Sequence, residues 1–378
     1  MRCILGCLVA FFCICPLRVE AQRAYICSLP PPTLLETFLE APMVVVGRLH
    51  NAVAPNNALP NGQTELLLDD ILVPHAIIKD RKSILLNRYS PSKAKYLVAM
   101  DIYKGEVDPY RSTELDAQGE VERYVRGGLK LKDKSALGRM RYSIGFLHSS
   151  SETVVSSARG ELIKADYKDI RKVAESLKPE PFLKSLQKQH TERFEPRLGM
   201  DAWLLGHCGK KEHAVLLKKL IDDRIRNHKS VPVDYLFSYV LLEPNTAWNE
   251  VVNLAEQKDL PFLFSYSAFS AIRMIGNERQ DVCDRKKCTA AMVRVLNRPD
   301  VADFAVDTLR KWQRWECAEL ILELPGKAEY KAPVIWKTVL CFALQCPTVR
   351  TANYVDAQRK LDPERVADME ELLRIEKE

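Results

Sequence analysis

The chain has 378 residues and little in it that marks membrane residence, nucleic-acid binding or a common enzymatic chemistry. Its N-terminal apolar run, Cys3 to Cys15, is about half of the roughly 20 residues that a spanning helix needs. No later segment approaches that length, which argues against a membrane span. The formal net charge is only +6. The densest basic run, Lys130-Leu131-Lys132-Asp133-Lys134, is broken by an acid and reads as a solvated helix start rather than a nucleic-acid stripe. There is no H-E-x-x-H helix and no glycine-rich phosphate loop. Ser149-Ser150-Ser151 lacks the glycines of a nucleophile elbow and reads as a loop and helix cap. No C-x-x-C pair is present, which sets aside the common redox and zinc-ribbon motifs. No cofactor is expected.

What is present begins with an export pattern. Met1-Arg2 is a short basic start, the apolar run follows, and Pro16, Leu17 and Arg18 end it. Val19-Glu20-Ala21 then places small residues where a signal peptidase inspects the chain. The order predicts a signal peptide over residues 1–21 and an exported, soluble product, periplasmic or secreted. Four of the eleven cysteines leave with that signal, and seven remain: Cys27, Cys208, Cys283, Cys288, Cys317, Cys341 and Cys346. Seven is odd, so one thiol stays free or pairs between chains.

Two regions differ in periodicity, which predicts a two-domain α+β protein. Residues 22–110 read as a β-rich domain, a small antiparallel barrel or sheet of OB-like type. Short strands are expected at Met43–Leu49, Thr64–Val73, Ser83–Asn87 and Lys95–Met100, with Pro, Asn, Gly and Ser turns between them. Residues 111–118 are expected to be a connector. From 119 to 378 the pattern is helical. Val301, Phe304, Ala305, Thr308, Leu309 and Trp312 lie on one face. Val339, Phe342, Ala343 and Cys346 repeat that spacing, and Ala214, Leu217 and Ile221 form a shorter version. Asp362-Pro363-Glu364 is an N-cap with Pro at the first helical position. Recurrent prolines cut the region into short helices, which suggests a HEAT-like solenoid or an irregular helical array.

Few residues carry chemistry. His207 and Cys208, with His213 close by, are good zinc-ligand types. Gly206 and Gly209 bracket the pair, as at a helix end closed by a left-handed glycine, so packing competes with a metal role. Cys283 and Cys288 are spaced C-x4-C across a bend capped by Asp284, a disulfide candidate. Cys341 and Cys346 share the spacing but fall on one helix, where positions five apart do not meet. Asp69 and Asp70 are adjacent on a strand and point to opposite faces, which does not suit paired acid–base work. Trp312 and Trp315, with Arg310 and Arg314, suggest core packing before a ligand platform.

Two resemblances follow from these residues. Cys27, Ala41-Pro42-Met43-Val44-Val45-Val46-Gly47, Leu68-Asp69-Asp70-Ile71-Leu72-Val73 and Tyr96-Leu97-Val98-Ala99 resemble the netrin-like module of tissue inhibitors of metalloproteinases, an OB-type barrel. In that family a Cys-x-Cys pair opens the mature chain and chelates the target's zinc. Here Cys27 is followed by Ser28 and Leu29. The whole chain also resembles a group of exported planctomycete proteins with a signal, a small β domain and a HEAT-like region. The matching stretches run from Asp101-Ile102-Tyr103-Lys104-Gly105 to Asp108-Pro109-Tyr110-Arg111, and from Arg197-Leu198-Gly199 to His207-Cys208-Gly209. The expected function is that of an exported, non-enzymatic binding or scaffold protein whose helical surface meets a protein partner. The other readings are a metal or redox protein using His207, Cys208 and His213, and a protease-inhibitor-like β domain.

Overall fold

The computed structural model describes residues 32–132, 134–188 and 195–376, with side chains from Leu198 onward in the last stretch. Residues 1–21, expected to be a signal peptide, and Cys27 lie outside the described residues. The chain divides into two compact units, residues 1–132 with 150–160, and residues 133–149 with 161–378.

The first unit opens with α1 (Leu34–Glu40). Its start is a reciprocal cap: the Thr33 hydroxyl accepts from the Glu36 amide, and the Glu36 carboxylate accepts from the Thr33 amide at 2.7 Å. Five strands follow: β1 (Met43–Val53), β2 (Gln63–Val73), β3 (Ser83–Leu86), β4 (Lys95–Tyr103) and β5 (Glu106–Glu114). They form one antiparallel sheet in the order β3-β2-β1-β4-β5. It is open, since no ladder joins β3 to β5 among the described residues. Of the two expected forms, the sheet is the one observed. The central strand explains why Met43 to Val46 are all apolar. Met43 and Val45 join Leu66, Ile84, Val98 and Met100 in a core on one face. By the period of two, Val44 and Val46 belong to the other face, and both are fully buried.

β5 corrects the connector expected at 111–118. It pairs with β4 from Tyr103–Glu106 to Tyr96–Glu114. The link is the two-residue turn Lys104-Gly105, with φ of 52° and 84°, the double positive φ that a tight hairpin requires. Pro109 is tolerated because β5 is an edge strand and the ladder is irregular between Ala99 and Met100.

The helical pattern begins as expected near residue 119, with α2 (Glu120–Leu129). The compact units, however, divide at 132 rather than 119. Arg126 of α2 reaches Asp70 of β2 at 2.6 Å, and Ser157 accepts from the Leu35 amide of α1 at 3.2 Å. The Lys130–Lys134 run follows the end of α2 instead of starting a helix, where its charge suits the helix dipole.

The remaining helices are α3 (Ala136–Ile144), α4 (Glu152–Ile163), α5 (Tyr167–Ala174), α6 (Glu180–Gln187), α7 (Glu195–Cys208), α8 (Ala214–Arg226), α9 (Val233–Leu242), α10 (Pro244–Glu256), α11 (Phe262–Glu278), α12 (Arg285–Val295), α13 (Ala302–Lys311), α14 (Ala318–Leu322), α15 (Pro333–Gln345), α16 (Val349–Leu361) and α17 (Pro363–Ile375). The prolines act as read: Pro244, Pro333 and Pro363 open helices, and Asp362 caps α17 through the Arg365 amide. Helices contact the next and the next but one, α7 with α9, α9 with α11, α10 with α12, α13 with α15 and α15 with α17. That is the contact pattern of stacked helical hairpins. Among the described residues, no helix is long and apolar enough to cross a membrane.

Candidate functional site

Three places in the helical unit gather polar chemistry. The first is built around His207, in the last turn of α7. Its Nδ1 faces the Trp203 carbonyl at 2.8 Å, and its Nε2 meets the Tyr167 hydroxyl at 2.9 Å. A carbonyl only accepts, so Nδ1 carries the proton and Nε2 accepts from the phenol. Trp203 stacks on the imidazole at 4.1 Å, and Tyr167 meets Trp203 edge-on at 5.7 Å. Burial pushes the His207 pKa down to about 4, helped by the Arg279 and Arg171 charges and opposed by the Trp203 carbonyl. Burial likewise pushes Tyr167 up to about 12, against the nearby Arg279. The result is a neutral phenol–imidazole relay that ends on a backbone carbonyl.

This geometry corrects the metal expectation for His207, Cys208 and His213. Both ring nitrogens of His207 are occupied. Burial raises the Cys208 thiol to about 11. His213 instead accepts from the Lys210 amide through Nδ1 at 2.9 Å. Among the described residues, no group of three or more His, Cys, Asp or Glu side chains is placed to hold a metal. The helix-end packing role remains, though not through a left-handed cap, since Gly209 has no positive φ. A Cβ on Gly209 would lie 2.5 Å from the Leu205 carbonyl oxygen, and one on Gly206 would lie 2.6 Å from Cβ of Ser238. Both glycines allow close approach.

The second place was not legible in the sequence, because its members are 37 and 16 residues apart in the chain. His148 Nε2 donates to Asp201 Oδ1 at 2.9 Å, and Ser185 donates to Asp201 Oδ2 at 2.5 Å. The residue types are those of a hydrolytic triad, but the order is not. The carboxylate sits in the middle, and the serine proton points at Asp201. Asp201 is 1% exposed, and the arrangement ties α6, α7 and the loop before α4 together.

The third place is an open cleft of about 580 Å³ among α13, α15 and α17. Phe304, Met369, Leu372 and Ile375 give it an apolar wall, and Asp303 and Lys337 stand in the same lining. Leu372 and Ile375 are exposed. Arg310 forms one end, held by Asp307 at 2.7 Å, Gln345 at 2.9 Å and Glu376 at 2.9 Å. Asp303 is half-buried, and among the described residues no cation pairs with it. Burial raises its pKa, as do Asp307 and Asp300 nearby.

The other sequence-predicted residues fall as follows. Cys283 and Cys288 adjoin each other as free thiols, so the candidate disulfide is not formed here. Cys341 and Cys346 point to different partners, Met369 and Thr348. Asp69 pairs with Arg48, and Asp70 with Arg126. Trp312 packs against Gly276 and Trp315 meets Phe342 edge-on, while Arg310 and Arg314 turn to their own acids. The four side chains do not assemble into a ligand platform, and the tryptophans pack as expected. No family model, no curated protein and no solved structure matches the chain.

Proposed function

We propose that the protein is a non-enzymatic binding protein of an exported compartment, and that the cleft among α13, α15 and α17 receives an extended or helical segment of a protein partner. The observation that carries this is the pairing of an exposed apolar wall with an unpaired, half-buried carboxylate, Asp303. An apolar stretch with one Lys or Arg side chain satisfies both, because the long side chain lays its stem on the wall and presents its charge to the acid. The satisfied state of the polar centres supports a binding role over a catalytic one. The His207 relay ends on a carbonyl, and in the Ser185–Asp201–His148 arrangement the serine hydroxyl donates to the carboxylate. The export half of the proposal rests on the residue order from Met1 to Ala21.

The test is selection of peptides from a random displayed library on the purified chain. Enriched peptides should carry aliphatic or aromatic residues with a basic residue. Asp303→Asn should weaken them at least tenfold, and Leu372→Glu should abolish binding. Peptides that bind both variants unchanged would place the site elsewhere. Cleavage of the peptides on incubation, abolished by Ser185→Ala, would replace the binding reading with a hydrolytic one.

A further inference from the structure

The pair Cys283 and Cys288 differs from every other cysteine described. Cys283 sits two residues before the first residue of α12, and Asp284 between them caps the helix by accepting from the Lys287 amide at 2.7 Å. Cys288 is the fourth helical residue. These are the two positions that a hydrophobic staple brings together at a helix start. The Cys288 thiol donates to the Cys283 carbonyl oxygen at 3.5 Å, which brings the two side chains together at the helix start.

The two thiols are not equivalent. Cys288 has no exposed surface, whereas Cys283 is 5% exposed and lines a pocket of about 310 Å³ with Trp248, Asn249, Lys287 and Arg294. The lining of that pocket includes Cys283 and not Cys288. The hydrogen bond from Cys288 holds the Cys283 thiol below its ordinary value in spite of burial, and the Lys287 charge acts the same way. That same bond and burial push Cys288 far up. On the inner side, the Arg285 guanidinium stacks over Trp312 at 4.4 Å. One of its nitrogens is buried without a hydrogen-bond partner, so a cation is in place to favour a Cys288 thiolate once it forms.

We propose that Cys283 and Cys288 are a thiol–disulfide exchange site for a small disulfide, with Cys283 as the entry thiol and Cys288 as the resolving thiol. The Cys283 thiolate attacks one sulfur of a low-molecular-weight disulfide. A bond forms between Cys283 and that sulfur, the original S–S bond breaks, and the other half leaves as a thiolate. That thiolate takes the Cys288 proton. Cys288 then attacks the Cys283 sulfur and expels the second half as a thiolate. The protein is oxidised by two electrons and the small disulfide is reduced to two thiols. The proposal is independent of the α13–α15–α17 cleft.

The test uses the full chain, reduced, freed of reductant and incubated with cystine without oxygen, followed by peptide mapping over time. In the wild type a cysteine adduct should appear on Cys283 first and give way to a 283–288 disulfide. Cys288→Ser should accumulate the adduct on Cys283. Cys283→Ser should leave Cys288 unmodified, at least tenfold slower than Cys283 in the wild type. An adduct arising first on Cys288, or a wild type that keeps both thiols after cystine has oxidised an exposed control thiol, overturns the proposal. The time course in the wild type tests the order of events without any substitution.

Discussion

The sheet unit and the helical unit solve the same problem in different ways. In the sheet unit the described buried polar side chains are hydroxyls, Thr33, Thr64 and Ser157. In the helical unit they include charges: Asp201, Arg298 and Arg310. The reason lies in the backbone. A sheet sets the register of its strands through ladder hydrogen bonds, so its polar specification is already in the main chain. A helix satisfies its own main chain, and neighbouring helices are free to slide or rotate unless side chains fix them. Arg298 shows how this is done. It donates to the Leu260 carbonyl at 2.7 Å, to the Gln257 carbonyl and to the Ser265 hydroxyl, and it holds Asp300 at 2.7 Å. One guanidinium thereby fixes the α10–α11 loop and α11 to the end of α12.

The sharpest way to break this contrast is Arg298→Met. Arg298 is buried and donates to two carbonyls and to the buried Ser265 hydroxyl, so removing it takes a charged donor from each, at a cost of about 3–5 kcal/mol in all. All five tryptophans, Trp203, Trp248, Trp312, Trp315 and Trp336, lie in the helical unit. Their fluorescence in a urea titration therefore reads the loss directly. A midpoint within the error of the wild type would show that helix packing, not the guanidinium, sets the register.

A smaller and pH-dependent effect comes from His207. Its folded pKa is about 4, against about 6.5 in an unfolded chain. Between those values the unfolded chain binds the proton and the folded chain does not. The stability this group contributes is whole above pH 6.5 and declines as pH falls toward 4, by up to about 3 kcal/mol. In His207→Phe that decline is absent. The gap in stability between wild type and variant, read from the same fluorescence, should narrow by that amount between pH 7 and pH 4. A gap that stays constant would mean that the ring takes up its proton in the folded protein as readily as in the unfolded chain.

The contrast between units also explains what could be read from the sequence. Met43–Val46 and Lys95–Met100 were legible as strands because a central strand must be apolar. β5 was not. As an edge strand it alternates only partly buried and exposed residues, and Pro109 disguises it further. The helices were legible from their prolines and apolar spacing, down to the Asp362 cap. Their locks were not, because Arg298 with Gln257 and Leu260, or Asp201 with His148, are brought together only by packing. The Cys283–Cys288 pair lies between these cases. Its spacing looks wrong for one helix, and it closes because Asp284 puts Cys283 outside the helix, a point the sequence carries in the cap itself. For His207 and Cys208 the residue types suggested a metal, while the partners that occupy the imidazole, Tyr167 and the Trp203 carbonyl, are invisible to spacing.

The smallest effect tests the sheet side of the comparison. Thr64 is fully buried on β2. Its hydroxyl donates to the Arg88 carbonyl at 2.8 Å and accepts from the Ser90 amide at 2.9 Å, fixing the chain just after β3. Thr64→Val keeps the shape and removes both bonds. Because the ladder between Thr64 and Leu86 is made by the backbone, the register survives and only two main-chain groups lose a partner. The expected cost is about 1–2 kcal/mol, seen as faster hydrogen exchange of the Ser90 amide and of the β2–β3 ladder. A cost as large as that of Arg298→Met would mean that the sheet, too, depends on a buried side chain for its register, and the distinction between the two units would fail.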